Sequence, residues 1–118
     1  MSDSVGLKSC QATLQVSIAA ALEAGKILRQ EFHRPGGPRG ESSHALLDAD
    51  VEALIRDRLT AAFPTYGVRG EELHHLNRQP QDLEQHLWLI DPNDGTASYL
   101  KGYRGAAFSI ALLRSGIP

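Results

Sequence analysis

Asp91 and Asp94 stand three residues apart in the segment Trp88-Leu89-Ile90-Asp91-Pro92-Asn93-Asp94-Gly95-Thr96. They follow the compact apolar run His86 to Ile90, which reads as a buried strand feeding a turn. Pro92 stiffens that turn, and Gly95 permits backbone geometry that other residues resist. Two carboxylates placed this way can converge on a hard cation, which takes oxygen ligands. A helix starting at Gly95 would turn its free N–H groups outward, where they can hold a phosphate. The same pattern also suits a plain Asp-Pro turn with Asp94 as a helix cap, and spacing alone divides evenly between the two.

Two further acidic features bear on that choice. Gly70-Glu71-Glu72 follows a short predicted strand, Tyr66 to Val68, so Glu71 is set near a strand end. Asp48 and Asp50 open a predicted helix, where negative charge suits the positive N-terminal end. Taken singly, each of these acids reads as a solvated surface residue or a helix cap.

Taken in order, the segments resemble the inositol monophosphatase family of magnesium-dependent phosphatases. The matching residues are Asp48-Ala49-Asp50-Val51-Glu52 with Ile55, then Phe63-Pro64 and Gly70-Glu71-Glu72. The segment Trp88 to Thr96 and the later Ser109-Ile110-Ala111-Leu112 complete the match. The resemblance implies that Glu71, Asp91 and Asp94 are carboxylate ligands of Mg2+, with the backbone carbonyl of Asn93 as another. It implies that Thr96, paired with Asp48, orients or deprotonates the attacking water. It also implies that the N–H groups of Gly95 and Thr96 hold phosphate oxygens. The substrate class is a small phosphate monoester: an inositol phosphate, a sugar phosphate or a nucleotide 3′-phosphate.

Some residues depart from the family pattern. Leu46-Leu47 stand where a threonine is usual, and Ala97-Ser98-Tyr99 replaces an Asn-Phe ending. The later Trp-Asp motif of the family, whose aspartate completes the metal site, is not among these 118 residues. The expectation is therefore a truncated chain, 1–118 as one partial domain, inactive alone. A homodimer or a complementing C-terminal half is the expected partner. The competing reading is a non-catalytic metal- or anion-binding half-domain, or one component of a split or oligomeric assembly.

The elements that must position these residues follow from periodicity. Residues 1–9 are small and polar, a frayed start. Leu14, Ile18, Ala21, Leu22, Gly25, Leu28 and Phe32 recur at helical spacing and predict the inward face of a long helix. The stretch from His33 to Ser43, with Pro35-Gly36-Gly37-Pro38 inside it, is a loop. A second helix runs from Asp48 to Phe63 with Val51, Leu54, Ile55, Leu59 and Ala62 on its apolar stripe, and Pro64 stops it. His74 to Gln85 is an irregular connection. Ala106 to Leu113 is a strand apolar on both sides, hence covered on both faces, and Arg114-Ser115-Gly116-Ile117 is a hairpin turn. The fold class is α+β: two helices, then strands of a mixed sheet, the first part of the layered α/β/α/β/α sugar-phosphatase fold that the resemblance implies.

Composition excludes other classes. Hydrophobic residues make up 42% and charged residues 22%, so the chain can build a core and is not a disordered polyelectrolyte. The formal net charge of −2 and the lack of a basic run argue against a nucleic-acid polymer as partner. No signal peptide and no membrane span is read, and the single cysteine, Cys10, leaves a reducing, cytoplasmic setting as the default. The loop Gly36 to Gly40 lacks the Gly-Lys-Ser/Thr ending of a P-loop. His74-His75 reads as surface, since neighbouring side chains diverge.

Overall fold

The computed structural model describes the backbone of residues 3–41, 44–45, 47–94 and 107–118, and the side chains of 10–40, 47–91 and 109–118. Helix α1 spans Asp3–Phe32, beginning well inside the segment expected to fray. Its buried stripe keeps Leu28 and Phe32 of the predicted face but is rotated away from the rest of it. Ala20, Ala24 and Leu28 face inward with Thr13 and Glu31, while Leu14, Ile18 and Leu22 remain 58%, 48% and 72% exposed. The helix carries two apolar stripes, and packing selects the one built on alanines. Small side chains let another helix approach closely, and Ala24 and Leu28 join Val51, Ile55 and Leu59 in one core.

After α1 the Gly-Pro loop is clamped from below. The buried carboxylate of Glu31 accepts the backbone N–H of Arg39 and two guanidinium N–H bonds, each at 3.0 Å. A small antiparallel hairpin follows, β1 (Gly40–Glu41) and β2 (His44–Ala45), where only loop was expected.

Helix α2 spans Asp48–Ala62. Val51, Ile55 and Leu59 are fully buried, Leu54 is half-buried and Ala62 is exposed. Phe63 leaves helical geometry ahead of Pro64, as a residue before proline must.

Three strands form a mixed sheet in the order β3-β4-β5. Strand β3 is Gly67–Gly70, β4 is His86–Asp94 and β5 is Ala107–Arg114. β3 runs parallel to β4, and β5 antiparallel to it. Trp88 and Ile90 are buried in the core with Val68, and Ile110 and Leu112 pack against it. The other face of β5 is not covered as expected: Ser109 and Ala111 are exposed and Leu113 is half-buried. The alternation along β5 is therefore real, but the described helices serve one face. The expected turn at Arg114 is present. Ser115 (φ 53°) and Gly116 (φ 81°) both have positive φ, and Arg114 and Ile117 exchange backbone hydrogen bonds at 2.8 and 3.1 Å. That is the two-residue turn whose twist matches a hairpin.

The connection from β3 to β4 is more ordered than its polarity suggests. It contains a 3-10 turn at His74–Leu76, and Arg78 pairs with Val68 on the free side of β3. A Cβ on Gly67 would lie 2.6 Å from the nitrogen of Pro80, so this return of the chain requires glycine there. Among the described residues no helix is long and apolar enough to cross a membrane.

The rotated face of α1 sets an expected outcome in urea unfolding. Leu22→Gln should change stability by no more than about 0.5 kcal/mol, whereas Ile55→Ala should cost about 2–5 kcal/mol. Comparable losses from both would mean that α1 buries the face predicted from periodicity.

Candidate functional site

Parallel pairing brings the acids together. Gly70 lies opposite Ile90 in the β3–β4 register, so the next residue on each chain, Glu71 and Asp91, leaves the paired segment side by side. Neighbouring strands are about 4.8 Å apart, close enough for the two side chains to meet. They share a hydrogen bond. Asp48, buried in the first turn of α2, is near enough for its charge to act on Glu71, and so is Glu72. Loss of water around the carboxyl is the largest influence on Glu71, followed by the charge and hydrogen bond of Asp91, then Glu72 and Asp48. Together they hold it above the usual carboxylate range, although the residue as a whole keeps contact with solvent.

The pair opens onto a shallow depression of about 420 Å³. Arg69 and His74 line it with the carboxylates, so the surface carries both signs of charge. His74, expected as plain surface, is thus beside Glu71 and Asp91 while remaining exposed.

The predicted site is reached only in part. Asp48, Glu71 and Asp91 fall in one neighbourhood. Yet among the described residues no group of three or more His, Cys, Asp or Glu is close enough to hold a metal ion. Asn93 and Asp94 are described only as backbone, and Gly95 and Thr96 lie outside the described residues. One expectation is corrected here. The strand does not stop at Ile90 for a turn at Asp91-Pro92; β4 continues through Asp94. Asp91 pairs with Ser109 but Asp94 with Ala107, so β4 carries one more residue than its partner over this stretch. A bulge of this kind tolerates Pro92, which has no N–H to give to the ladder, and it re-aims the residues around it.

Sequence reasoning passed over the residues behind Glu71. Glu52, fully buried, accepts the N–H of Glu72 and the N–H of Leu73, both at 2.8 Å. It also takes the Nε–H of Arg56 at 3.1 Å. Arg56 donates onward to the carbonyls of Leu76 and Leu73 at 2.9 and 3.1 Å and to Oδ1 of Asn77. Asn77 Oδ1 accepts the N–H of Gly70 at 3.0 Å. A Cβ on Gly70 would lie 2.3 Å from Cδ of Glu52, so glycine is required for this close approach. A sequence signal existed: Glu52 and Arg56 form an i,i+4 pair of favourable order, and both flank the apolar positions Val51 and Ile55. Nothing local told a buried pair from a solvated one.

A model of the inositol monophosphatase family matches residues 10–118. The chain belongs to that family. It is 37% identical over 112 residues to inositol-1-monophosphatase of Rhizobium meliloti, an alignment covering 89% of this chain and 40% of that protein. It is 30% identical over 115 residues to the Nus factor SuhB of Xylella fastidiosa, covering 89% of this chain and 38% of that protein. Among solved structures, an inositol monophosphatase from Anabaena superposes with a TM-score of 0.74 at 31% identity, over 93% of this chain and 38% of the other. The chain thus spans about two-fifths of the length of these relatives.

The crowded carboxylates make stability depend on pH. Folded Glu71 keeps its proton to higher pH than unfolded Glu71 does. Without divalent cations, its contribution is therefore most favourable below the ordinary glutamate range and is lost as pH rises from there through the raised value. Glu71→Gln removes that loss, and the variant should melt higher than the native chain at neutral pH. Melting curves of both proteins across this range check the point; parallel pH dependences would overturn it.

Proposed function

We propose that this chain supplies part of the active site of a magnesium-dependent phosphomonoesterase acting on a small phosphate monoester. The carrying observation is the hydrogen-bonded pair of Glu71 and Asp91 with Asp48 close by. Two carboxyl groups that share a hydrogen bond need a proton between them. A divalent cation is the natural replacement for that proton, and an all-oxygen donor set suits magnesium. Glu71, Asp91, the side chain of Asp94 and the carbonyl of Asn93 would hold the ion. Bound there, it supplies neutralisation of the phosphate charge and acidification of a water.

The remaining steps belong to the chain's own groups. The N–H groups of Gly95 and Thr96 would hold phosphate oxygens and orient the ester. Thr96, paired with Asp48, would orient or deprotonate the attacking water. Water attacks phosphorus directly as the ester P–O bond breaks, the alkoxide leaving as the alcohol with a proton that comes from the water, so no phosphorylated side chain and no activated Ser or Cys is required. The substrate is an inositol phosphate, a sugar phosphate or a nucleotide 3′-phosphate. Family membership supports the phosphatase class, and the name inositol-1-monophosphatase on the Rhizobium meliloti relative supports the first of these substrates.

A non-catalytic role is the competing reading, and relatives named Nus factor SuhB favour it. In that case the chain binds a cation or anion, or completes an assembly with a second copy or a complementing half, without turnover.

One experiment separates the readings. The native chain, Glu71→Gln and Asp91→Asn are titrated with Mn2+ by electron paramagnetic resonance, then assayed with magnesium on inositol phosphate and on adenosine 3′,5′-bisphosphate. Affinity should fall by about tenfold or more in each variant. The expected result for this chain alone is cation binding with little or no turnover. Turnover lost in Asp91→Asn would show that the chain is sufficient for catalysis. Binding that ignores both substitutions would sink the cation reading altogether.

A further inference from the structure

We infer that Asn77, backed by Arg56 and Glu52, is a positioning residue that aims Glu71 into the site; the inference rests on the reading of Glu71 as a cation ligand. Glu71 sits where β3 has ended and no ladder restrains the chain. The residue is exposed overall, so core packing does not orient it. The backbone on either side is held instead by side chains reaching from beneath. Gly70 N–H is taken by Asn77, and Glu72 N–H and Leu73 N–H by the two oxygens of Glu52. The Leu73 carbonyl is taken by Arg56. Three amides around Glu71 and the Leu73 carbonyl are thus held by one connected group, and the side chain between them is left to face Asp91.

The arrangement goes beyond what stability requires. A buried Glu–Arg pair costs desolvation, and apolar residues of equal volume are often as stable. An apolar pair could not take the amides of Glu72 and Leu73 just past a strand end. Asn77 lines the same depression as Glu71 and Asp91, so the outer end of the network lies at the site itself. Oδ1 of Asn77 receives both Gly70 N–H and Arg56 Nη2. It joins the charged pair inside to the strand end outside. Ligand geometry in metal sites depends on such supporting hydrogen bonds, whose loss typically weakens binding by about 10- to 100-fold.

Asn77 is the position to test, because it is only half-buried and its loss need not unfold the chain. Asn77→Ala removes the shared acceptor. Asn77→Asp keeps an oxygen for both donors and serves as the conservative rescue. Two quantities are read on the native chain and both variants: amide hydrogen exchange at Gly70, Glu72 and Leu73 without cation, and Mn2+ affinity of the folded protein. In Asn77→Ala, exchange at these amides should accelerate and Mn2+ affinity should drop by about tenfold or more. Asn77→Asp should restore both to near the native values. Unchanged exchange in Asn77→Ala, or Asn77→Asp as weak as Asn77→Ala, overturns the positioning role. If the native chain binds no Mn2+ while its exchange still depends on Asn77, the cation reading fails and the loop-holding role stands.

Discussion

The register of one parallel strand pair governs the site. Because Gly70 faces Ile90, the residues that follow them emerge together, and two acids that are remote in sequence become hydrogen-bonded neighbours. A slip by one residue would turn Glu71 and Asp91 away from each other and would carry either Val68, or Trp88 and Ile90, out of the core. The hydrophobic pattern that builds the sheet thus enforces the meeting of the carboxylates. Core packing and site geometry are one constraint seen from its two ends.

Helix α2 joins those ends. Its apolar positions, Val51, Ile55 and Leu59, lie in the core with Trp88 and Ile90. Its charged positions, Glu52 and Arg56, are equally buried but point to the loop after β3. Asp48, one turn earlier, is buried where the helix meets the site. Attaching the acid, the loop clamp and the core contacts to a single rigid helix keeps their spacing constant. Such rigidity is what a binding constellation needs from its scaffold.

The price of the arrangement is electrostatic. Glu71 is pressed by Asp91, Glu72 and Asp48 with no compensating cation among its first influences. That crowding of like charge works against stability in the absence of a cation, and the proposed function gives it a use. Membership of the inositol monophosphatase family places that crowding in context. The mixed sheet and the helix pair superpose on family structures across nearly the whole chain while covering 38% of the Anabaena protein.

Much was legible along the chain because it depends on local chemistry. The apolar run before Asp91, the proline after Phe63, the Ser115-Gly116 turn and the Gly-Glu-Glu and Asp-Pro-Asn-Asp-Gly-Thr segments follow from residue type and spacing over a few positions. These determined the order of helices and strands, the family and the acids worth watching. Other features needed three dimensions. Periodicity marked Leu14, Ile18 and Leu22 as inward, but two stripes on α1 are apolar and only the fit against α2 chose the alanines. Pro92 read as the end of a strand, but a bulge carries β4 past it. Glu52, Arg56 and Asn77 looked like ordinary polar residues, because a charge declares itself buried only through partners 17 to 21 residues away. Sequence alone determined which groups could do chemistry. Tertiary structure decided which of them touch, since hydrogen bonds and desolvation act over a few ångströms of space whatever the distance along the chain.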